Sequence, residues 1–284
     1  MRVIAIGSVK GSPGVTTLAV ALAARWPAPG RPVVVECDPS GGSLAARFGL
    51  RTAPGLVSLT AAARQDPDFA LLWRHTQPLP GGLPVVVAPP GADYTRAALA
   101  TLLEARRQTV PVLRGAATCP GAVVIADCGR LDTGSPAVAI AREADRLLLV
   151  ARPRPDELSH LAAALSMVDL WAMRANLVLT GTGYPAAEVT RALGVPVLAT
   201  VPHDEPGATA LTGLPGRRRG ADRSRLGRAA HALANALLEA HTARPEHGAV
   251  TEHPVTPEVL RHDNHWPSNR LLPPLKGTRL EDLR

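Results

Sequence analysis

The stretch Lys10-Gly11-Ser12-Pro13-Gly14-Val15-Thr16-Thr17 limits what this chain can fold into more than any other. Residues 1–9 before it are apolar and β-branched, as suits a strand buried on both faces of a parallel sheet. From Thr16 to Trp26 alanine and leucine dominate, and the run reads as a helix. A glycine-punctuated turn feeding a helix leaves the first backbone N–H groups of that helix without intrahelical partners. Such groups, together with the positive end of the helix dipole, cradle phosphates.

The rest of the chain repeats the strand-then-helix rhythm. Residues 31–39 predict a strand ending in the acidic turn Glu36-Cys37-Asp38, and residues 54–64 a loop with a short helix, while 67–72 predict the start of another. Residues 83–90 predict a buried strand broken by a double proline. Leu99, Leu102 and Leu103 give helical periodicity over 93–107, and 122–129 is an apolar strand that reaches Asp127 near its end. Strands at 146–151, 176–181 and 195–204 alternate with helices at 158–174 and 185–193. A last helix runs to about His241, with Leu226, Ala230, Leu233 and Leu237 on its docking face and Arg225 and Arg228 opposite. This alternation predicts an α/β fold, a doubly wound and mainly parallel sheet with helices on both faces. Ligands of such sheets bind outside the carboxyl ends of the strands. Lys10, Asp38 and Asp127 all fall there. Asp38 keeps two readings, a site carboxylate or a cap for a helix starting near Gly41. Trp73 and His75 are assigned no chemistry.

Composition narrows the function classes. With 46% hydrophobic and only 3% aromatic residues, the core must be built from valine, leucine and alanine. Cys37, Cys119 and Cys128 form no C-x-x-C pair, which argues against a disulfide framework and against a zinc site. No apolar run approaches the roughly 20 residues that span a bilayer, and the opening strand leaves no room for a signal peptide, so a cytoplasmic protein is expected. The net charge of +7 is carried largely by arginine, which suits nucleic acid or an anionic surface but equally reflects coding bias. Arg217, Arg218, Arg219, Arg225 and Arg228 cluster near the last helix, where they meet DNA phosphates or simply face water. From residue 243 proline, histidine and charge replace the apolar pattern. The expected organisation is therefore a domain over 1–242 and a tail over 243–284, partly disordered or docking a partner.

The loop matches the later part of the pattern G-x-x-x-x-G-K-[ST], with Val15 where lysine belongs. In this it resembles the ParA/MinD family of deviant-Walker ATPases, whose loop reads K-G-G-x-G-K-[ST]. Lys10 matches the family's signature lysine, Gly11 and Gly14 its glycines, and Thr16 the hydroxyl that ligates magnesium. Ser12 stands in for a glycine. The block VVVECDPSGG is similar to the family's D-x-D-P motif, with Asp38 at the aspartate that orients water and magnesium and Glu36 replacing the first aspartate. Asp127 ends a Walker B-like strand. Thr180-Gly181 occupies the place of an asparagine that reads adenine, and Pro202-His203-Asp204 looks like the segment that packs beside the base.

The resemblance covers about residues 1–240 and implies a P-loop NTPase fold. It implies ATP held by Gly11, Ser12, Gly14, Val15, Thr16 and Thr17, and Mg2+ held by Thr16, Asp38 and Asp127. Lys10 and Asp38 take the catalytic places. It also implies a homodimer in which Lys10 reaches the phosphates of the other subunit. Valine offers neither charge nor donor, and loss of one such contact costs about a hundred- to thousandfold in rate. The expected function is spatial organisation or assembly of a cellular machine, such as a Tad-type pilus or polar complex. It would act through protein partners at the tail or dimer surface, with nucleotide bound weakly or not at all and hydrolysis weak or absent. The alternative is an active ParA-like ATPase that binds DNA nonspecifically and takes part in chromosome or plasmid partitioning. The tail is a poor match to the basic amphipathic helix that holds relatives on membranes.

Overall fold

Strand β1 (Val3–Ser8) is buried at all six positions, so its alternating side chains must be covered on both faces of the sheet. Val3 and Ala5 enter one apolar cluster, and Ile4 and Ile6 enter the other. The same division holds in β2 (Arg31–Glu36), where Val33 and Val35 face one cluster and Val34 the other. The computed structural model describes residues 3–10, 13–65, 68, 70–104, 111–167, 175–211 and 223–242.

The remaining strands are β3 (Gln77–Pro78), β4 (Pro84–Val86), β5 (Ala122–Arg130), β6 (Arg146–Ala151), β7 (Ala175–Thr180) and β8 (Val197–Val201). They form one eight-stranded sheet in the order β3-β4-β2-β5-β1-β6-β7-β8. Every pairing is parallel except that of β3 with β4. Parallel neighbours need crossovers, and these are the helices. On one face lie α3 (Leu56–Ala63), α4 (Leu71–Arg74), α5 (Ala92–Glu104), α6 (Pro111–Ala116), α7 (Ala137–Glu143), α8 (Pro155–Met167) and α9 (Ala186–Leu193). On the other lie α1 (Val15–Ala24), α2 (Leu44–Phe48), α10 (Glu205–Leu211) and α11 (Arg225–Thr242). The predicted doubly wound sheet is present.

Helix α11 packs on α1 through Leu226, Ala230, Leu233 and Leu237, all buried, while Arg225 and Arg228 are exposed as its periodicity predicts. Other boundaries differ. The strand expected over 83–90 shrinks to Pro84–Val86, because the Val87 carbonyl is taken by the Leu56 N–H and the Ala88 N–H by Glu36, and Pro89-Pro90 have no N–H to donate. The helix expected from 158 starts at Pro155, a residue well suited to the first turn because its missing N–H is not needed there. The segment read as strand and turn to 204 yields at Glu205 to α10. Residues 105–107 and 168–174 of two expected helices lie outside the described residues, as do Gly11, Ser12, Arg217, Arg218, Arg219 and the tail 243–284. Among the described residues no helix is long and apolar enough to cross a membrane.

Candidate functional site

The carboxyl ends of β1, β2 and β5 open onto the start of α1 in a cleft of about 590 Å³. Gly14 caps α1 in the left-handed conformation, φ 95° and ψ 33°, which glycine adopts without steric cost. The first helical hydrogen bond runs from Leu18 N–H to the Gly14 carbonyl at 2.8 Å. The N–H groups of Val15, Thr16 and Thr17 have no acceptor among the described residues, and all three residues line the cleft. The helix start is thus open to an anion at the position where the sequence places one.

Two of the predicted site carboxylates meet here. Asp127, only 1% exposed, accepts the Thr16 hydroxyl and, at 3.2 Å, the Gly129 N–H. Burial pushes its carboxyl up to about 7, with the charges of Glu36 and Asp38 adding to the rise and the Thr16 and Gly129 hydrogen bonds opposing it. Asp38 is half-buried and folds back so that its Oδ1 accepts the Ser40 N–H at 2.8 Å. Its carboxylate lies over Gly129, where any Cβ would collide with it, and Gly129 itself has φ +57°.

Glu36 does something the sequence reading did not assign. Its buried carboxylate accepts N–H groups from Ser43 at 2.7 Å, Leu44 at 2.9 Å and Ala88 at 2.9 Å. It therefore caps α2 and ties that helix to the chain leaving β4. Burial raises its pKa against these bonds. The capping role weighed for Asp38 belongs to Glu36, and the helix starts at Leu44 rather than near Gly41. Gly42 sits so close that a Cβ would strike Glu36 Oε2 and the Ala88 carbonyl.

Lys10 stands apart from this group. Its Nζ lies 3.3 Å from Asp156 Oδ2 at the start of α8, and it is not among the residues lining the cleft. Val15 is 6% exposed and packs into the same apolar cluster as Leu18 and Leu22. The segment Pro202-His203-Asp204, expected beside a base, spends its carboxylate elsewhere. Asp204 accepts the Gly207 N–H at 3.1 Å and the Leu226 N–H at 2.8 Å, joining the starts of α10 and α11. Arg47 and Arg130 also line the cleft. Sequence reasoning passed over both; the signal was a cation three residues beyond Asp127 and another on the helix after the acidic turn.

Magnesium prefers oxygen donors and keeps part of its shell for water and phosphate. Thr16, Asp38 and Asp127 fit that preference, with the Thr16 hydroxyl already on Asp127. Among the described residues no group of three or more His, Cys, Asp and Glu side chains is placed to hold a metal unaided. A metal here would need phosphate and water oxygens to complete its shell.

No protein-family model matches the chain, and no curated protein matches it. Solved structures do. The cell division ATPase MinD from Pyrococcus furiosus is 21% identical, with 84% of this chain and 99% of that one covered and a TM-score of 0.61. A ParA family ATPase from Chlorobium tepidum is 18% identical, with 82% and 98% covered and a TM-score of 0.66. The septum site-determining protein MinD from Pyrococcus horikoshii, complexed with Mg-ADP, is 19% identical, with 86% and 99% covered and a TM-score of 0.61. The fold of this chain is the fold of the MinD and ParA ATPases.

Proposed function

We propose that this protein is a MinD/ParA-like organiser that binds Mg·ATP weakly, turns it over slowly at best, and works as a homodimer through protein partners. Positioning or assembly of a machine such as a Tad-type pilus or a polar complex is the task we assign to it. One observation carries the reading. The magnesium-side residues Thr16, Asp38 and Asp127 converge on the open start of α1, while the position that should supply the phosphate-binding lysine is the buried Val15.

The chemistry follows from that split. The N–H groups at the head of α1 would hold phosphate oxygens, Thr16 and the two aspartates would hold magnesium, and Asp38 would orient the attacking water. Bound magnesium would neutralise charge between the phosphates. The loop side offers no cation where charge moves during phosphoryl transfer, so turnover falls by about a hundred- to thousandfold relative to a lysine-bearing loop. Glu36 shapes the wall of the site through α2 and takes no part in the reaction.

Calorimetry with Mg·ATP, alongside a phosphate-release assay, tests this. The expected results are weak binding by the native protein, tighter binding and about hundredfold faster release in Val15→Lys, and lost turnover with retained binding in Asp38→Ala. The lysine stem can run along the apolar wall and bring its ammonium into the cleft. No binding by the native protein would overturn the nucleotide reading and leave a scaffold. A second reading, nonspecific DNA binding with partitioning, draws support from exposed Arg225 and Arg228 on α11. It requires DNA retention that falls steeply as salt rises.

A further inference from the structure

We infer, resting on the nucleotide reading above, that Arg130 and Arg47 are phosphate-binding residues that replace the loop's absent cation, reaching a bound polyphosphate from two different elements that line the cleft. The two sit on different supports. Arg130 ends β5, in register with Ser8 at the end of β1, and the next residue, Leu131, donates its N–H to the Ser8 carbonyl at 2.8 Å. Arg130 is thereby fixed beside the point where the chain leaves β1 for the glycine loop. The register of β1 against β5 slips between Ile6 and Ser8, an irregularity of the kind that re-aims a side chain at a strand end. Gly129, turned at φ +57°, sets the direction in which Arg130 departs.

Arg47 comes from α2. It lies one turn beyond Leu44 on α2, the helix that Glu36 pins by accepting the Ser43 and Leu44 N–H groups. It is close enough to Glu36 for the two charges to interact. Among the described residues, neither guanidinium forms an ion pair, although Glu36, Asp38 and Asp127 line the same cleft. Arg74, Arg114 and Arg152 elsewhere in the fold are each paired with a carboxylate. Glu36 has its charge met by backbone N–H groups, and Asp127 is occupied with Thr16 and Gly129. The arginines therefore remain available for an incoming anion. A planar guanidinium binds phosphate through two parallel N–H bonds. An arginine reaching in from outside the loop is an accepted way to offset phosphoryl charge. The ligand class is a polyphosphate chain, with no claim on the base attached to it.

The test is equilibrium binding of Mg·ATP and of Mg·tripolyphosphate to the full chain, native and as Arg130→Ala, Arg47→Ala, Arg130→Lys and the double alanine variant. Both arginines are exposed, and a thermal melt of each variant checks that it is folded. The expected result is a loss of about 10- to 100-fold for both probes in each alanine variant. Arg130→Lys should recover part of that loss, and Val15→Lys introduced into the double variant should restore most of it. Native binding with unchanged affinity in the alanine variants overturns this inference and leaves the nucleotide reading standing. Native protein that binds neither probe overturns both.

Discussion

At the residue scale the site is governed by what burial does to Asp127. Its folded-state value of about 7 lies above the ordinary 3.8, chiefly through loss of water around the carboxylate. Folding therefore favours the protonated form. The stabilisation linked to it is fully present below about pH 4 and is lost as pH rises through 7. Asp127→Asn keeps a neutral group of the same shape, so it should flatten that part of the stability curve. Between pH 5.5 and pH 8 the native protein is expected to lose about 2 kcal/mol more stability than the variant in denaturant melts; parallel curves would refute the assignment. Gly129→Ala is the companion test, since it places a Cβ against the Asp38 carboxylate at a φ of +57°. The left-handed backbone alone costs about 1–2 kcal/mol, and displacing Asp38 should lower turnover, as is expected of Asp38→Ala. An unchanged denaturant midpoint would sink this account. Thr16, Asp38 and Asp127 were legible in the sequence through the order and spacing of three motifs, since a lone Asp after an apolar strand has bland alternatives such as a helix cap, and the structure brings all three to one cleft. Arg47 and Arg130 were not, because an exposed arginine carries no periodicity and looks the same whether or not it lines a cleft.

At the element scale, two acidic caps hold the layout that the strands alone do not. Glu36 spans Ser43, Leu44 and Ala88 with its two oxygens, a reach that aspartate, shorter by one methylene, cannot cover. Glu36→Asp should therefore leave at least one buried N–H unpaired and cost about 1–3 kcal/mol, read as a lower denaturant midpoint; an unchanged midpoint would mean α2 is held by its apolar face. Asp204 is also partly buried, but the N–H groups of Leu226, Gly207 and Arg225 outweigh that and hold its carboxyl below the ordinary value. Its contribution is present above about pH 4 and lost as pH falls through the folded value. Asp204→Ala should be less stable than native at pH 7 and converge with it in strong acid. The buried strands were legible because runs such as Val33–Val35 and 122–126 are apolar whichever face they present. Helix α11 was legible from its 3.6-residue period. The short elements were not. Helix α6 is fastened by Arg114, which reaches Asp145 at 3.4 Å and the Glu143 carbonyl beyond it. Helix α10 hangs on Asp204, and β3 is two residues paired only with β4. Helix α6 depends on a contact distant in sequence, which local pattern does not reveal, while α10 and β3 are too short for a period to show.

At the scale of the whole molecule the placement of Lys10 bears on assembly. Were it a ligand of its own subunit's phosphates, it would be expected at the cleft, yet its ammonium sits at Asp156 Oδ2, 3.3 Å away, with side-chain exposures of 36% and 62%. An ion pair so exposed contributes little to stability, which leaves the lysine free to trade Asp156 for a stronger anion. If that anion is the phosphate of a second copy, Lys10→Ala should separate two properties that a loop mutation would change together. Its melting temperature should match the native protein, and its Mg·ATP affinity as a monomer should be close to native. Light scattering coupled to size exclusion, with and without Mg·ATP, should show a dimer for the native chain and a monomer for Lys10→Ala. The comparison with Val15→Lys sharpens the test, because that variant raises occupancy of the cleft and should shift the native mass toward dimer at lower nucleotide concentration. Should Lys10→Ala instead weaken binding by the monomer and leave the dimer intact, the lysine acts within its own subunit, and the dimer rests on surfaces other than the site.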